Sequence, residues 1–386
     1  MMNFFSNNHS HPTNDGFLSR RIRKQSQKFA GASMGNFQIQ PVSLSDSTSM
    51  EKWDAFVENH PEGSPYHLSG WLTAIWETYG FEPMLSVLTN RDGIIAGVFP
   101  FFKIPRLFNG FRLISLPFSD YGGPLLGNYS GTEGAVSLFF KSLIDSFPYI
   151  ESRGMVPCGD GFAKNSCFTR HQLNLQRSIA DIQKGIDKRT IQYSIKKAEK
   201  AGVVVKEFHD SAGMDEFVRL NVLTRKKHGV PSQPKKWFDT LLKNIITREK
   251  GFILLAELNS QVIGASVFLV CGNSLHYKYN ASDPAIVRAV SPNHFLTWTA
   301  ITWGVRHSLS LLDFGRTTSN NAGLMRYKEM WGTTMTDLPY FYFPKIRGTS
   351  SVNEKSPFYR MYTNAWAILP DAIAEKASSI IFKYLA

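Results

Sequence analysis

Cysteine is scarce in this chain: there are three, Cys158, Cys167 and Cys271, and no CxxC pair among them. That excludes a disulfide framework of the kind that staples small secreted domains, and it points to a reducing, cytoplasmic setting. Long apolar runs are missing too. The longest, at about 94–102, is far short of the roughly 20 residues a spanning helix needs. The basic stretch 20–28 is not followed by an apolar segment, so it does not read as a secretory signal. There is no GxxxxGK[ST] phosphate loop and no GxGxxG, and the histidines show no metal-ligand spacing. Two short matches dissolve in context. GASMG at 31–35 fits a nucleophile elbow but has no strand before it. DFG at 313–315 fits the kinase magnesium motif, but no catalytic loop, glycine-rich loop or VAIK lysine accompanies it.

What is present suits a well-packed globular protein: 386 residues, 43% hydrophobic and 13% aromatic, enough for two or three domains. The formal net charge of +12 is unevenly placed. Residues 1–35 carry five Lys/Arg against one Asp, and residues 177–250 carry seventeen Lys/Arg against nine Asp/Glu, which together account for the whole excess. A basic stretch inside a folded region suits a polyanionic partner such as RNA, a phosphorylated carrier or an acidic membrane face. A solvated lysine-rich helix explains it equally well.

Residues 1–35 are rich in Ser, Asn, His and Arg without periodicity and read as a disordered basic tail; an organelle transit peptide is the alternative. Met34 stands just before the first strand-like run and is a candidate true start. The interior repeats. A helix containing Trp71 precedes a strand, an Asn-Arg-Asp-Gly turn and a strand with Gly97. A helix containing Trp237 precedes a strand, an Asn-Ser-Gln turn and a strand with Gly264. The tryptophan-to-glycine separations are 26 and 27 residues. Such runs joined by short turns read as antiparallel hairpins, and two copies give two similar α/β domains rather than a solenoid. Residues 189–201 form a helix with Ile191, Ile195 and Ala198 on one face, ended by Gly202, and the next strand is 203–208. A helix over 293–306 has Phe295, Trp298, Thr302 and Val305 as its expected core stripe. Beyond residue 345 the chain changes character. An amphipathic helix from Pro370, with Ile373, Ala377, Ile380 and Ile381 on one side, is expected to dock on the fold, with a membrane surface as the alternative.

Three groups carry candidate chemistry. In LPFSDYGGP at 116–124 a strand runs into a Gly-Gly-Pro turn that presents Asp120 and Tyr121; an Asp capping its own turn explains it equally. TRKKHGVP at 224–231 is a helix end with Arg225 and His228 in a basic cluster, which also complements the helix dipole. The third is 311–332, LLDFGRTTSNNAGLMRYKEMWG, together with His276, Tyr277 and Tyr279 upstream. Asp313, Arg316 and Lys328 are charges embedded in apolar sequence, which is costly unless they are paired or used. A structural Asp313–Arg316 pair is the plain explanation. Tyr277 and Tyr279 alternate with Lys278, so they are expected to share a face of one strand.

PYHLSGW at 65–71, LPFSDYGGPLL at 116–126, TRKKHGVPSQP at 224–234, DFGR at 313–316 and YKEMWG at 327–332 resemble the FemAB-like acyltransferases. The resemblance is closest to the branch associated with exosortase and exopolysaccharide systems and spans about 50–345. It implies two tandem GNAT-like (acyl-CoA N-acyltransferase-type) α/β domains with mixed, largely antiparallel sheets. The expected division is 36–176 and 177–345, with a helical appendix at 346–386. Characterised members of that family transfer an amino acid from aminoacyl-tRNA to an amine of a peptidoglycan precursor. A lysine after an aromatic residue near the end of the second domain serves the transfer there; here that is Tyr327-Lys328.

The expected activity is acyl or aminoacyl transfer to an amine of a cell-envelope or exopolysaccharide precursor. A cation such as Lys328 would stabilise the oxyanion or a donor phosphate. Asp120 or Asp313 would bind the incoming ammonium or relay its proton. Arg316 and Arg225 would hold phosphate, and Tyr121, His228, Tyr277 and Tyr279 would line the substrate site. No metal and no bound cofactor is expected; the donor is a co-substrate, either aminoacyl-tRNA or acyl-CoA. Usual GNAT enzymes hold the CoA pyrophosphate on glycine-rich backbone N–H groups before a helix. The comparable segment 286–292 has no glycine, and Pro292 lacks an N–H, which argues against acyl-CoA. Two other readings stay open: an ordinary acyl-CoA-dependent N-acyltransferase, and a catalytically inactive binding module. The expected partners are the precursor and tRNA, with no DNA. The expected location is cytoplasmic, with peripheral contact at the inner face of the membrane as a further option.

Overall fold

The computed structural model describes residues 32–106, 110–154, 161–344 and 381–382. The first part of the chain holds β1 (Ala32–Met34), β2 (Phe37–Val42), α1 (Ser47–Asn59), α2 (Ser69–Tyr79), β3 (Glu82–Asn90), β4 (Ile95–Pro105), β5 (Phe111–Ser115), β6 (Leu125–Leu126), α3 (Glu133–Ser146), β7 (Ile150–Arg153), β8 (Ala163–Asn165) and β9 (Phe168–Asn174). The second part holds α4 (Ile179–Gly185), α5 (Tyr193–Lys200), β10 (Val204–Phe208), α6 (Ser211–Lys227), α7 (Lys235–Asn244), β11 (Gly251–Leu258), β12 (Gln261–Cys271), β13 (Ser274–Ser282), α8 (Val287–Val290), α9 (Pro292–Arg306), β14 (Leu311–Thr318), α10 (Ala322–Glu329), β15 (Thr334–Asp337) and β16 (Tyr340–Phe343). β1 falls inside the stretch read from sequence as a structureless tail and pairs with β2. The rest of that tail and residues 345–380, including the amphipathic helix expected from Pro370 as far as residue 380, lie outside the described residues.

Local chemistry sets the ends of these elements. Asp46 and Asp210 cap α1 and α6 by accepting from the N–H groups of Ser49 and Gly213. Gly80, in the left-handed region, ends α2. Asn259 and Ser260, both left-handed, form the two-residue turn between β11 and β12.

The expected repeat is present and mixed in the expected way. β2-β3-β4-β5-β7 and β10-β11-β12-β13-β14 run in the same order in two sheets. All neighbours are antiparallel except β5 with β7 and β13 with β14, which are parallel. A helix makes each parallel crossover: α3 in the first sheet, α9 in the second. The next place in each sheet is taken by a strand from the other half. β16 lies against β7 and carries β8 on its far side, whereas β9 lies between β14 and β15. The sheets therefore do not part company at a single point in the chain.

The two halves meet through one aromatic core. Trp71 and Trp237, the paired tryptophans of the repeat, stand edge to face at 5.1 Å, and Tyr79, Phe81 and Phe118 pack around them. Phe382 reaches the same core, with its ring 6.3 Å from that of Phe118. Second and third cores lie on the outer faces, under α5 and α9 and under α3.

On α5, Ile195 and Ala198 are buried as their spacing predicts. On α9 the expected stripe is displaced. Leu296, Thr297, Ala300, Ile301 and Gly304 are buried, and Phe295, Trp298 and Val305 are only partly so. The small residues Ala300 and Gly304 bring the helix close to the sheet, and the large side chains flank the contact.

The junction of α2 and α7 has no slack: a Cβ at Gly70 would collide with the backbone carbonyl of Asn244. Gly70→Ala should therefore destabilise the chain by about 1–3 kcal/mol in urea unfolding, although alanine is the better helix former.

Candidate active site

β13 and β14 pair in parallel only at residues 274–276 and 311–313. Beyond that point each strand bulges. The pairing of Val267 with Tyr279 and Phe268 with Tyr277 leaves Lys278 as an extra residue in β13. Between Asp313 and Arg316, β14 likewise carries one residue more than its partner β9. The strands separate, and a cavity of about 410 Å³ opens between them, lined by Asp120, Lys278, Arg316, Lys328, Tyr277, Tyr279 and Tyr327, and also by Asn280, Asn293 and His294.

Asp120 comes from the loop after β5. That loop bends through two left-handed non-glycine residues, Leu116 and Phe118, a costly conformation that needs bracing. Arg153 supplies it. The guanidinium is paired with Glu151 at 2.6 Å and also donates to the carbonyls of Leu116 (3.4 Å) and Ser119 (3.3 Å). The Tyr340 hydroxyl donates to the Asp120 carbonyl at 2.6 Å. Asp120 Oδ2 accepts from the Tyr66 hydroxyl at 2.6 Å and lies 3.5 Å from Lys278 Nζ. Burial alone would raise its carboxyl, but Lys278, Arg316, Tyr66 and Lys328 together hold it below the usual 3.8.

Lys328 enters from α10. It is 5% exposed, and its Nζ donates to the carbonyls of Gly315 (2.8 Å) and Arg316 (3.3 Å). Burial lowers the ammonium from 10.5 to about 8, against the pull of Asp120 and Asp313. Arg316 lies over the rings of Phe168 and Tyr340 and donates to the Tyr340 hydroxyl at 2.6 Å. Gly315 sits at φ +70° with Asp120 Oδ2 only 2.8 Å from where a Cβ would be, so the two loops meet where no side chain fits.

The other sequence candidates are placed as follows. Asp313 is buried one layer behind the cavity. Its Oδ1 accepts from the Gly315 N–H at 2.6 Å, and its Oδ2 accepts from the Tyr121 hydroxyl at 2.8 Å. The expected Asp313–Arg316 pair is not formed: the guanidinium beside Asp313 is that of Arg170, at 3.5 Å. Burial raises the Asp313 carboxyl. Tyr121 stands with Asp313, and its hydroxyl is 3.3 Å from His276 Nδ1. Burial pushes His276 down to about 3, so that imidazole is neutral. Tyr277 and Tyr279 do not share a face, because the bulge at Lys278 breaks the alternation. Tyr277 packs with Phe268 and Phe314 in one core, and Tyr279 with Phe217, Phe238 and Trp237 in another, while both still reach the cavity. Arg225 and His228 end α6 and are not among the lining residues. Burial lowers His228, and Lys227 and Arg225 act the same way.

Lys278, Tyr66 and Arg170 were not singled out from sequence. Tyr66 lies in the PYHLSGW motif, and Lys278 stands between two tyrosines; neither pattern shows that they meet at Asp120. At 286–292 the N–H groups of Ile286 and Val287 donate to the Asp283 carbonyl, those of Ala289 and Val290 to Ile286, and that of Ser291 to Val287, so most of the backbone donors there are already engaged.

Residues 187–329 match a family model described as an acetyltransferase (GNAT) domain. A crystal structure of FemX is similar along 84% of this chain and 100% of its own, at TM-score 0.64 and 15% identity. The chain has a tandem GNAT-like fold. The same architecture is found in the C-terminal domain of a putative lysylphosphatidylglycerol synthetase from Agrobacterium fabrum (TM-score 0.52, 9% identity, 78% of this chain and 92% of that one). It is also found in a tandem GNAT protein from the clavulanic acid biosynthesis pathway (TM-score 0.50, 10% identity, 81% and 99%). At these identities the likeness concerns the fold. A search of curated proteins finds none that matches.

The depressed Lys328 ammonium has a measurable consequence. Between about 8 and 10.5 the unfolded chain keeps that proton and the folded chain has lost it, so stability rises with pH across this window. Relative to Lys328→Met, the wild-type protein should gain up to about 3 kcal/mol between these limits and nothing below them, read by urea unfolding at several pH values.

Proposed function

We propose that the protein transfers an acyl or aminoacyl group to an amine, and that the acceptor is a cell-envelope or exopolysaccharide precursor. The observation that carries this reading is the buried Lys328, held by two backbone carbonyls at the rim of a cavity that also presents the Asp120 carboxylate. The likeness of fold to FemX supports it. The acceptor nitrogen attacks the donor carbonyl carbon, the carbon–nitrogen bond forms, and the bond to the leaving oxygen or sulfur breaks. The acceptor, received as an ammonium, first gives one proton to solvent by way of Asp120, because only the neutral amine has the lone pair that attacks. A second proton leaves the nitrogen as the amide forms, and the leaving group takes one up. Lys328 faces the oxyanion of the tetrahedral intermediate. Asp120, held ionised, receives the acceptor as an ammonium. Arg316 is available to a substrate phosphate, and Tyr277 and Tyr279 flank the acceptor. Asp313 acts by shaping the bulge at Gly315 and, with Tyr121, stays behind the reacting groups. Arg225 and His228 serve only a donor that extends beyond the cavity.

For the donor, the glycine-free segment 286–292, most of whose N–H groups are engaged, favours aminoacyl-tRNA over acyl-CoA, as does the basic region 177–250. A second reading, an acyl-CoA-dependent N-acyltransferase, is favoured by the description of the matching family model. We take 36–176 and 177–345 as the two domains, with β9 and β16 exchanged across that division. The working location is the cytoplasm, at or near the inner face of the membrane; among the described residues no helix is long and apolar enough to cross one.

Charged tRNA and acyl-CoA pools, supplied separately with candidate precursors and followed by mass spectrometry, test the reading. Transfer from tRNA should be seen, and Lys328→Met should fold normally while its rate falls about a hundredfold or more. Full activity in that variant would remove Lys328 from the mechanism. Transfer from acyl-CoA alone would select the second reading, and binding of a precursor without turnover from any donor would make the protein a binding module.

A further inference from the structure

Lys278 is the one cavity residue whose placement depends wholly on the bulge of β13, and nothing so far gives it a task. Its side chain is 5% exposed. A buried lysine is rare, and stable only where its charge is met. Here it is met on every side. Nζ donates to the Phe118 carbonyl at 3.2 Å and lies 3.5 Å from Asp120 Oδ2. It faces the rings of Tyr66 (4.6 Å), Trp71 (5.1 Å) and Tyr279 (5.4 Å). The Phe118 carbonyl belongs to the braced loop that carries Asp120. One lysine thus touches both the carboxylate and the backbone that presents it.

The carboxylate is used unequally. Oδ2 takes the Tyr66 hydroxyl and Lys278, whereas Oδ1 has no hydrogen-bond partner among the described residues. Asp120 lines the cavity, and its side chain is 23% exposed. Cations outnumber carboxylates in that lining, and neither Arg316 nor Lys328 has a carboxylate partner among the described residues. A free Asp120 would be drawn toward them. Its tie to Lys278 opposes this.

We propose that Lys278 is the positioning residue for Asp120: with Tyr66 it holds one carboxylate oxygen, so that the other faces the cavity as a seat for the ammonium of a primary amine. The proposal rests on the acyl-transfer reading only in taking that ammonium to be the acceptor's. The groups that share the electrostatics are Arg316 on β14, Lys328 on α10, Arg153 on β7, and Tyr66, Tyr121, Asp313 and Tyr340 around the carboxylate.

Carbon-13 NMR of the whole chain, observing aspartate carboxyl and lysine Cε resonances, tests this without any substrate. In the wild-type protein the Lys278 resonance should respond at the midpoint of the Asp120 titration, and in Lys278→Met that midpoint should move upward. Butylammonium should shift the wild-type Asp120 carboxyl saturably, 1-butanol should not, and the response should be lost in Lys278→Met. If Lys278→Met does not fold, Tyr66→Phe removes the other bond to the same oxygen and should also raise the midpoint, and the wild-type coupling still decides. A Lys278 resonance silent through the Asp120 midpoint, an unmoved midpoint in a folded variant, or equal responses to butanol and butylammonium would each overturn the proposal. Coupling and ammonium binding without turnover from any donor would instead overturn the acyl-transfer reading and leave this one standing.

Discussion

The parting of β13 from β14 governs the rest of the site. Two strands that stayed paired would bury Tyr277, Lys278 and Gly315 in a continuous ladder and leave no room for Lys328. Each strand instead carries one surplus residue just past residues 276 and 313, and the surplus turns both away from the shared axis. Asp313 makes the second bulge durable by accepting the Gly315 N–H. The carbonyls of Gly315 and Arg316, freed from ladder pairing with β13, become the acceptors for Lys328. A buried carboxylate behind the sheet thereby determines where a buried ammonium sits in front of it.

Charge is sorted around this gap. Arg153 with Glu151, Arg170 with Glu62 and Asp313, and Lys278 with Asp120 are matched pairs or clusters. They brace the loops, and where both partners are largely buried, as in Arg153–Glu151 and Arg170–Asp313, losing one is costly. Among the described residues the direct contacts of Arg316 and Lys328 are neutral ones, hydroxyl, carbonyls and ring faces, and the Asp120 carboxylate acts on them only at longer range. Cations without a contacting carboxylate beside a void are poor structural elements.

Much of this was legible in the amino-acid order. The tryptophan-to-glycine repeat foretold two like units; the embedded charges of 311–332 and the Asp120 turn stood out separately, and the fold brings Asp120, Arg316 and Lys328 to one cavity. What could not be read was anything that depends on an extra residue in a strand. Strict alternation puts Tyr277 and Tyr279 together; one bulge sends them to different cores. Local order also pairs Asp313 with the nearby Arg316, whereas the fold brings Arg170 from β9. The stripe on α9 was misjudged because large apolar residues were given the contact that Ala300 and Gly304 actually make. Lys278 and Tyr66 carry no local signal, since their meaning lies in a carboxylate far away in sequence.

The exchange of β9 and β16 bears on how the chain is made. β8 has no partner among the described strands except β16, and β7 has β16 on one side, yet β16 is the last of the described strands to leave the ribosome. During synthesis the first sheet therefore waits with an open edge while the whole second unit is translated, and β9 waits with it for β14. Open edges are where nascent chains pair wrongly. Either half produced alone would carry that unfinished edge permanently, so the smallest unit able to protect itself is both halves together.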